Sequence, residues 1–496
     1  MTEIITEHPD YDRMKPNLKA VRDCIEGEPA IKRERTLYLK HPNMIDKTSP
    51  QQVARYDAFL DGAEFDEYPA TTLASMLGQM TEGEIEQDMP ERLQYLVNDI
   101  DGDGMPLSGA VENIYSNTLQ VKFHILVAEY KGLANVDAKA VTLADVKAQN
   151  PRAVVKMYNR ESLIDWEFRR INGRQQLSMM VLVEESVERT NIFTRSSIKT
   201  YLLLALDDDG YYYQQKYVRN SDAIDKDGDP IYVTDQNKNK LKWIPAEIVV
   251  DEEWPAGSLP RRPGYLYPTC MMALYRYRMS ADYKESLRYM QPTTFTSGWK
   301  DGDKALFDEL NGRDYIAFGA GVSNNLPDNV TVEIKGLGVE CEPYERYFEA
   351  NDKRSRAVGA IINDPAQGAD VTATKSVIDN KNSTAVMSMI VKNTEAGLKR
   401  VILYCGMFEG LWSQDAIEAS LDQIALKLPR EFVAVTMSAE EIRSIRELYL
   451  DRLISRAEVQ RKLVAGGFTI GDIEQILDEL DSEAGAVPLA NNQQPL

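Results

Sequence analysis

The stretch TCMMALYRYRMSADYKESLRYM, Thr269–Met290, decides how the second half of this chain is organised. Its apolar side chains recur at helical spacing, and the stretch ends just before Pro292, a residue that cannot continue a helix. The apolar positions are Met272, Leu274, Tyr277 and Tyr283. Basic residues are distributed around the remaining surface. The pattern therefore predicts one long helix with an apolar stripe.

A second helical stretch of similar length follows later, CEPYERYFEANDKRSRAVGAIIND, 341–364. Between the two lies a compact insertion with the strand-like runs DYIAFGAG, 314–321, and NVTVEIKG, 329–336. The sequence therefore predicts two helices that bracket a small module containing strands. The boundaries that follow are 266–290 for the first helix, 291–341 for the module and 342–364 for the second helix.

The next segment, PAQGADVTATKSVIDNKN, 365–382, is polar and lacks apolar periodicity, which predicts a mobile loop. It does not fit a phosphate-binding loop, because Ala369 and Thr374 stand where that motif needs glycine for close backbone approach. Ser383 then caps a predicted helix of about thirty residues, roughly 45 Å long. DQIALKLP, 422–429, alternates as a strand after it.

The rest of the chain predicts an α+β first half and a helical end. The pattern stays helical through VENIYSNTLQVKFHILVAEY, 111–130, and strands follow, two of them joined by the hairpin turn DDDG, 207–210. Ser438 and Ser455 begin capping boxes in a C-terminal helical cluster. The remaining divisions are 1–265 for the N-terminal α+β part, 383–432 for the long helix and strand, 433–484 for the helical cluster, and 485–496 for a disordered tail. The expected fold class is α+β, predominantly helical.

The stretch NDIDGDGMPLSG, 98–109, fills the first half of an EF-hand calcium loop with Asp99, Asp101 and Asp103. That loop also needs a bidentate glutamate at its twelfth position, and Ala110 stands there. Since Asp-Gly steps form ordinary turns without any metal, we predict a turn and no metal site. Weak ion binding by the three aspartates stays open.

Composition excludes several classes of protein. The 496 residues are 43% hydrophobic, without an apolar run of transmembrane length or a signal-peptide core at the N-terminus, so we expect a soluble, unexported chain. Four scattered cysteines and three distant histidines favour neither a disulfide framework nor a zinc or triad site. We find no nucleophile elbow, zinc-binding helix or phosphate loop, and therefore expect neither an enzyme nor a cofactor.

The net charge of −21 also bears on nucleic acid. A protein that holds DNA by neutralising its backbone carries excess positive charge, because each neutralised phosphate releases a counterion and adds affinity. A chain this acidic is suited to handling DNA without gripping it.

The order of these parts resembles that in the portal proteins of tailed bacteriophages. The amino-acid sequence is similar to that of a podophage-type portal-like family. The resemblance runs from about Pro50 to about Glu483. It is carried by the IDGDG turn (100–104), SADYKESL (280–287) with a proline shortly after, GLGVECEP (336–343) before the second helix, and LKLPREF (426–432) before MSAEEI (437–442).

The resemblance implies a ring, usually of twelve subunits, at one vertex of the virion capsid, assembled in the host cytoplasm, with double-stranded DNA passing through it. Residues 1–265 would be the arm and wing, 266–290 and 342–364 the stem, 291–341 the clip, 365–382 the channel loop, 383–432 the tunnel helix and a wing strand, and 433–484 the crown. It also implies the partners: further copies of the chain, the major capsid protein, the scaffolding protein, the large terminase and the tail adaptor, with no membrane.

Two sets of residues are candidates for contact with DNA or with a neighbouring subunit. The channel loop would offer transient backbone contacts, and surface solvation is the alternative for these residues: Thr372, Thr374, Lys375, Ser376 and Lys381. The stem arginines would pair with acids of the neighbouring subunit or line the channel, and ordinary solvated helix faces are the default alternative: Arg276, Arg278, Arg346, Arg354 and Arg356.

Three rival functions remain open at this point. One is another structural virion component, such as a head–tail connector or adaptor. The second is a calcium-dependent interaction module built on the aspartate turn. The third is a hydrolase with paired carboxylates such as Asp301 and Asp303, which is disfavoured because adjacent acids are abundant in this chain.

Overall fold

The computed structural model describes most of the chain up to residue 430. The described ranges are 6–41, 49–131 and 150–430, apart from 172, 190, 221–222, 256, 291–292, 317–322, 336–340 and 358–372, together with 445–446, 448–449, 455 and 459. The predicted helical cluster at 433–484 and the predicted tail at 485–496 therefore lie almost entirely outside the described residues.

The helices fall into an N-terminal group and a group in the second half. They are α1 (Pro9–Glu26), α2 (Glu28–Arg33), α3 (Pro50–Gly62), α4 (Tyr68–Thr81), α5 (Tyr95–Asn98), α6 (Leu107–Val121), α7 (Tyr267–Met290), α8 (Asp303–Asn311), α9 (Glu342–Ala357) and α10 (Ala373–Phe408). Among the described residues, helix accounts for 46% and strand for 25%.

The strands form separate antiparallel sheets. They are β1 (Glu86–Asp88), β2 (Phe123–Lys131), β3 (Arg152–Asn159), β4 (Leu163–Ile171), β5 (Arg174–Arg189), β6 (Arg195–Leu206), β7 (Tyr212–Asn220), β8 (Ala223–Tyr232), β9 (Ala246–Val250), β10 (Thr293–Ser297), β11 (Thr331–Lys335) and β12 (Ala425–Lys427). One sheet has the order β3-β2-β9, and the largest runs consecutively from β4 to β8; β1 pairs with β12, and β10 with β11.

The main core lies where α10 crosses the β3-β2-β9 sheet. Apolar side chains of α10 at Ile390, Leu398 and Val401 are fully buried there. Gly397 allows the close approach, because a Cβ at that position would lie 2.8 Å from Cγ2 of Val249 on β9. The C-terminal half of α10 is therefore fixed to the sheet by packing.

Helix α7 packs against the N-terminal helices along its first four turns. Leu274, Tyr277 and Ala281 are buried on this face. The ring of Tyr277 lies 6.2 Å from that of Phe65, edge to face. The thiol of Cys24 on α1 donates to the carbonyl of Cys270 at 3.8 Å. The part of the chain before α7 therefore serves as its support.

The predicted helix through Tyr130 is wrong beyond Val121. Helix α6 ends there, Lys122 takes a φ of +86°, and the following apolar run forms β2, the central strand of its sheet. The Lys122 ammonium lies 2.7 Å from Asp251 and 2.8 Å from Glu252, which fixes the chain at this turn. A run that is buried on both faces has no periodicity to separate strand from helix, so the sequence pattern could not reveal the change.

Candidate functional site: a helix pair and the module at its end

The two bracketing helices, α7 and α9, lie side by side along a seam of aromatic rings. The ring of Tyr283 lies 5.7 Å from both Tyr344 and Phe348. Nearer the start of α7, Tyr275 lies 5.8 Å from Tyr347. Because late residues of α7 meet early residues of α9, the two helices run antiparallel. The contact of Tyr283 with Phe348 is edge to face, a geometry that stabilises an aromatic pair by about 0.5–1.5 kcal/mol beyond the area it buries.

Arg276 joins this helix pair to the N-terminal helices. Its guanidinium forms ion pairs with Asp66, in the connection before α4, and with Asp352 on α9. It also lies 5.2 Å from the centroid of the Phe348 ring. Burial raises the pKa of Asp66, and the positive charge of Arg276 opposes that shift. One cation thus connects three separate parts of the chain, and we call this group the Arg276 clamp.

Further polar contacts hold the second half of α7 to the N-terminal helices. The guanidinium of Arg278 donates to the carbonyl of Tyr38 at 2.7 Å. The others are the ion pair of Lys284 with Glu64, the ion pair of Arg55 with Glu285 at 2.9 Å, and the hydrogen bond from Arg288 to the carbonyl of Ala58 at 3.2 Å. Helix α7 is therefore anchored on one side along most of its length, while its other side carries α9.

The five candidate arginines of the stem occupy different settings. Arg276 and Arg278 are engaged within the chain, as described above. Arg346 pairs with Glu342 one turn earlier on α9, and both side chains are largely exposed. Arg354 is exposed, and the side chain of Arg356 lies outside the described residues. A role of any of these arginines toward DNA or a neighbouring subunit stays a prediction.

Helix α9 is rich in charge outside the aromatic seam. Its exposed charged residues are Glu342, Glu345, Arg346, Glu349, Lys353 and Arg354. Acidic residues dominate the first two turns, and basic residues the last. The exposed surface of α9 is therefore mostly negative near the start of the helix and positive near its end.

A small module closes the far end of the helix pair. Strands β10 and β11 pair antiparallel from Thr293 opposite Lys335 to Ser297 opposite Thr331. Between them, α8 buries Phe307 against Trp299, with ring centroids 5.8 Å apart. The strand predicted at 314–321 is absent over 314–316, and the remainder of that run lies outside the described residues.

The exposed surface of this module carries several large apolar side chains. They are Phe295, Leu306, Leu310 and Tyr315. A pair of reciprocal bonds closes the loop beneath them: Asn311 donates to the carbonyl of Asn325 at 2.8 Å and accepts from its N–H at 2.8 Å. The module is thus a compact unit with its own small core and several exposed apolar side chains among charged ones.

The predicted mobile loop over 365–382 is helical in its second half. Helix α10 begins at Ala373, ten residues before the predicted cap at Ser383, and its 36 residues span about 54 Å. A polar segment without apolar periodicity can still be helical where it continues a helix whose other half is held by packing. Of the candidate channel residues, Thr374, Lys375, Ser376 and Lys381 lie on this helix with side chains outside the described residues, and Thr372 lies outside them altogether.

The aspartate turn at 98–109 uses its carboxylates within the chain. Asp99 accepts from the N–H of Gly104 at 2.9 Å, and Asp101 accepts from the N–H of Asp103 at 2.8 Å. Asp99 also pairs with Arg152, and Asp103 with Lys131 at 3.0 Å. Partial burial acts to raise the pKa of Asp99, but the Gly104 N–H and Arg152 outweigh it, and the pKa is lowered. Throughout the described residues, no group of three or more His, Cys, Asp or Glu side chains is arranged to hold a metal ion.

Sequence reasoning missed the aromatic seam and the clamp. The seam had a signal, because Tyr344, Tyr347 and Phe348 stand at positions i, i+3 and i+4 of one helix face. The clamp had none, since Asp66 and Arg276 are far apart along the chain. Within the part of the chain that the structure describes, no helix has both the length and the apolarity needed to cross a membrane.

Comparison with known proteins gives one match in sequence. A family model described as "Domain of unknown function (DUF4055)" matches residues 271–409, from within α7 to just past the end of α10. The match therefore covers the helix pair, the module and the long helix together. No curated protein matches the chain in sequence.

Two solved structures are similar to the chain in three dimensions. One is described as "Neck of empty GTA particle computed with C6 symmetry", with 11% identity and a TM-score of 0.40 over 87% of this chain and 96% of that one. The other is described as "Virion of native gene transfer agent (GTA) particle", with 10% identity and a TM-score of 0.39 over 90% of this chain and 97% of that one. Similarity at this level carries no functional argument.

Proposed function

We propose that the chain is a structural component of a phage-like particle and, more specifically, a portal subunit. In this proposal several copies form a ring at one capsid vertex, and DNA passes through its centre. The observation that carries the proposal is the arrangement of three parts: the antiparallel pair of α7 and α9, the module at its end, and the 36-residue helix α10 that returns to the core. This order matches what the sequence resemblance implies.

The charge of the chain supports a conduit over a DNA-gripping protein. Every phosphate that a protein neutralises adds affinity regardless of sequence, and contacts repeated over many copies would multiply into a hold that stops movement. The net charge is −21 per copy. On α9 the exposed acids Glu342, Glu345 and Glu349 lie toward the start of the helix, and basic residues are more frequent toward its end. An acidic bore lets a duplex slide without adhering.

A few cations near the bore would guide the DNA backbone. Lys375 and Lys381 are the candidates, with the hydroxyls of Thr372, Thr374 and Ser376 as hydrogen-bond partners for phosphate oxygens. Since α10 begins at Ala373, we place most of this contact on the first turns of a helix. Replacing both lysines with alanine should leave ring assembly intact and reduce the length of DNA that a particle packages.

The remaining partners follow from the same resemblance. The module at 291–341 would meet the large terminase during packaging and the tail adaptor afterwards, using its exposed apolar side chains. The N-terminal α+β part would face the major capsid protein and the scaffolding protein. No cofactor is part of the proposal.

Two measurements test the proposed function. Mass photometry of the purified chain should give one closed oligomer, usually of twelve copies for this family, and a lasting monomer at micromolar concentration would overturn the proposal. Deleting the gene from the genome that encodes the particle distinguishes a portal from an adaptor. Loss of a portal leaves empty capsids because DNA has no entrance, whereas loss of an adaptor gives capsids that fill and then leak.

A further inference from the structure

The hairpin of β5 and β6 extends well beyond the sheet to which it belongs. Strand β4 pairs with β5 only as far as Leu182, and β7 pairs with β6 only from Thr200 onward. Beyond these points β5 and β6 pair only with each other, up to Arg189 opposite Arg195. We call residues 185–199 the outer ribbon. Its five paired positions on β5, 185–189, project about 17 Å.

The outer ribbon is exposed on both faces. Residues 185–189 and 191–197 are all exposed, and the Val187 side chain is 63% exposed. An isolated two-stranded ribbon is marginally stable in water, because it buries almost no apolar area. Such a ribbon becomes more stable when a partner covers it.

The tip of the ribbon presents two apolar side chains in a preformed turn. Ile192 is 78% exposed and Phe193 is 95% exposed, more than any other large apolar side chain in the described residues. The side chain of Asn191 fixes the turn, because its Oδ1 accepts from the N–H of Phe193 at 2.8 Å and of Thr194 at 2.9 Å. A preformed loop loses little entropy on binding, and a buried aromatic anchor supplies a large share of interface affinity.

The charge around the tip indicates the kind of partner. Arg189 and Arg195 stand directly opposite each other, a like-charge pair that destabilises a ribbon on its own. Within the described residues neither arginine has an ion pair, so both charges are available to acids from outside. Glu185 is engaged within the ribbon by Lys199 and Ser197, so the tip carries the two arginines against one acid, Glu188. A phosphate backbone offers nothing apolar to cover Phe193 and Ile192, whereas a protein surface can; the surface of this chain, at −21 net charge, also complements the arginines.

We propose that the outer ribbon of one copy docks tip first onto an acidic surface of the next copy in the ring. Phe193 and Ile192 enter an apolar recess there, and Arg189 and Arg195 pair with carboxylates at its rim. Such a contact joins two different surfaces, and repetition of it around an axis closes a ring. The inference rests on the proposed function and adds an interface to it.

The first test compares the assembly of matched variants by mass photometry over a concentration series. The double variant Ile192→Ser/Phe193→Ser and the charge reversal Arg189→Glu/Arg195→Glu should each raise the midpoint concentration for assembly by about tenfold or more. Ile231→Ser on β8 is the control, because Ile231 is 66% exposed in the same sheet but lies away from the tip. Unchanged circular dichroism in all variants will confirm that the fold is retained.

The outcomes separate the inference from the proposed function. A wild-type chain that never assembles overturns both. Wild-type rings together with unchanged rings of both tip variants overturn the inference alone. A photo-crosslinking amino acid at position 193 gives a second measurement: joined pairs of this chain support the inference, while crosslinks to added DNA or to the capsid shell, with none between copies, contradict it.

Discussion

Replacing Arg276 with alanine should loosen the helix pair from the N-terminal helices. The guanidinium contacts Asp66, Asp352 and the ring of Phe348, and its removal leaves two carboxylates facing each other across a gap. The side chain of Arg276 is 22% exposed, and those of Asp66 and Asp352 are 42% and 46% exposed. Water therefore screens both ion pairs, and each contributes only about 0.2–1 kcal/mol.

The cation–π contact with Phe348 adds about 0.5–1 kcal/mol. Together the three contacts stabilise the attachment of α9 by about 1–3 kcal/mol. Since about 1.4 kcal/mol corresponds to a tenfold change in an equilibrium constant, local opening should become about 5- to 140-fold more frequent. Amide hydrogen exchange followed by mass spectrometry measures this opening in peptides from 342–357.

Two control variants sharpen that experiment. Arg346→Ala removes an arginine from the exposed side of the same helix, where the ion pair with Glu342 is fully accessible to water, and exchange should stay within a factor of about two. Asp352→Asn in the Arg276→Ala background removes one of the facing carboxylates and should recover part of the lost protection. If α9 exchanges at the wild-type rate in Arg276→Ala, the clamp does not hold the helix pair.

Three further results are expected. Gly397→Ala should lower the melting temperature, because the new Cβ would lie 2.8 Å from Val249, while Gly78→Ala on α4, with open space around it, should leave it unchanged or raise it; equal effects would contradict the packing described. Burial lowers the pKa of His124 to about 3, so the unfolded state binds a proton at a higher pH than the folded state does. The free energy of unfolding should therefore fall as pH decreases from about 6.5 toward 3. Urea unfolding at several pH values measures this slope, which His124→Leu should flatten. Calorimetric titration with micromolar calcium should give no heat of binding. Heat that is present in the wild type and lost in Asp101→Ala would show that the aspartate turn binds calcium.

Some parts of the fold were predictable because their patterns are local. The first helix was expected over 266–290 and is found at Tyr267–Met290, since its apolar spacing and the following Pro292 are both visible in the sequence. The DDDG turn was expected between two strands, and β6 and β7 pair across it from Leu206 opposite Tyr212. In each case the information lies within a few residues of the element.

Other parts depend on contacts between distant residues. Nothing near Phe123 indicates that its segment is the central strand of a sheet, because its neighbours β3 and β9 come from later in the chain. Likewise the basic residues of α7 were visible, but their partners were not. The ion pairs of Arg276 with Asp66 and Asp352 of the same chain join residues that are far apart in sequence, so no local pattern could reveal them.

Cryo-electron microscopy of the purified full-length chain tests the central claim most directly. The account predicts closed rings in which the pair of α7 and α9 runs beside a central hole wide enough for a DNA duplex, with the exposed charged side of α9 facing the hole. Particles that reconstruct as single copies, or as assemblies with this helix pair on the outer rim and no central opening, would contradict it.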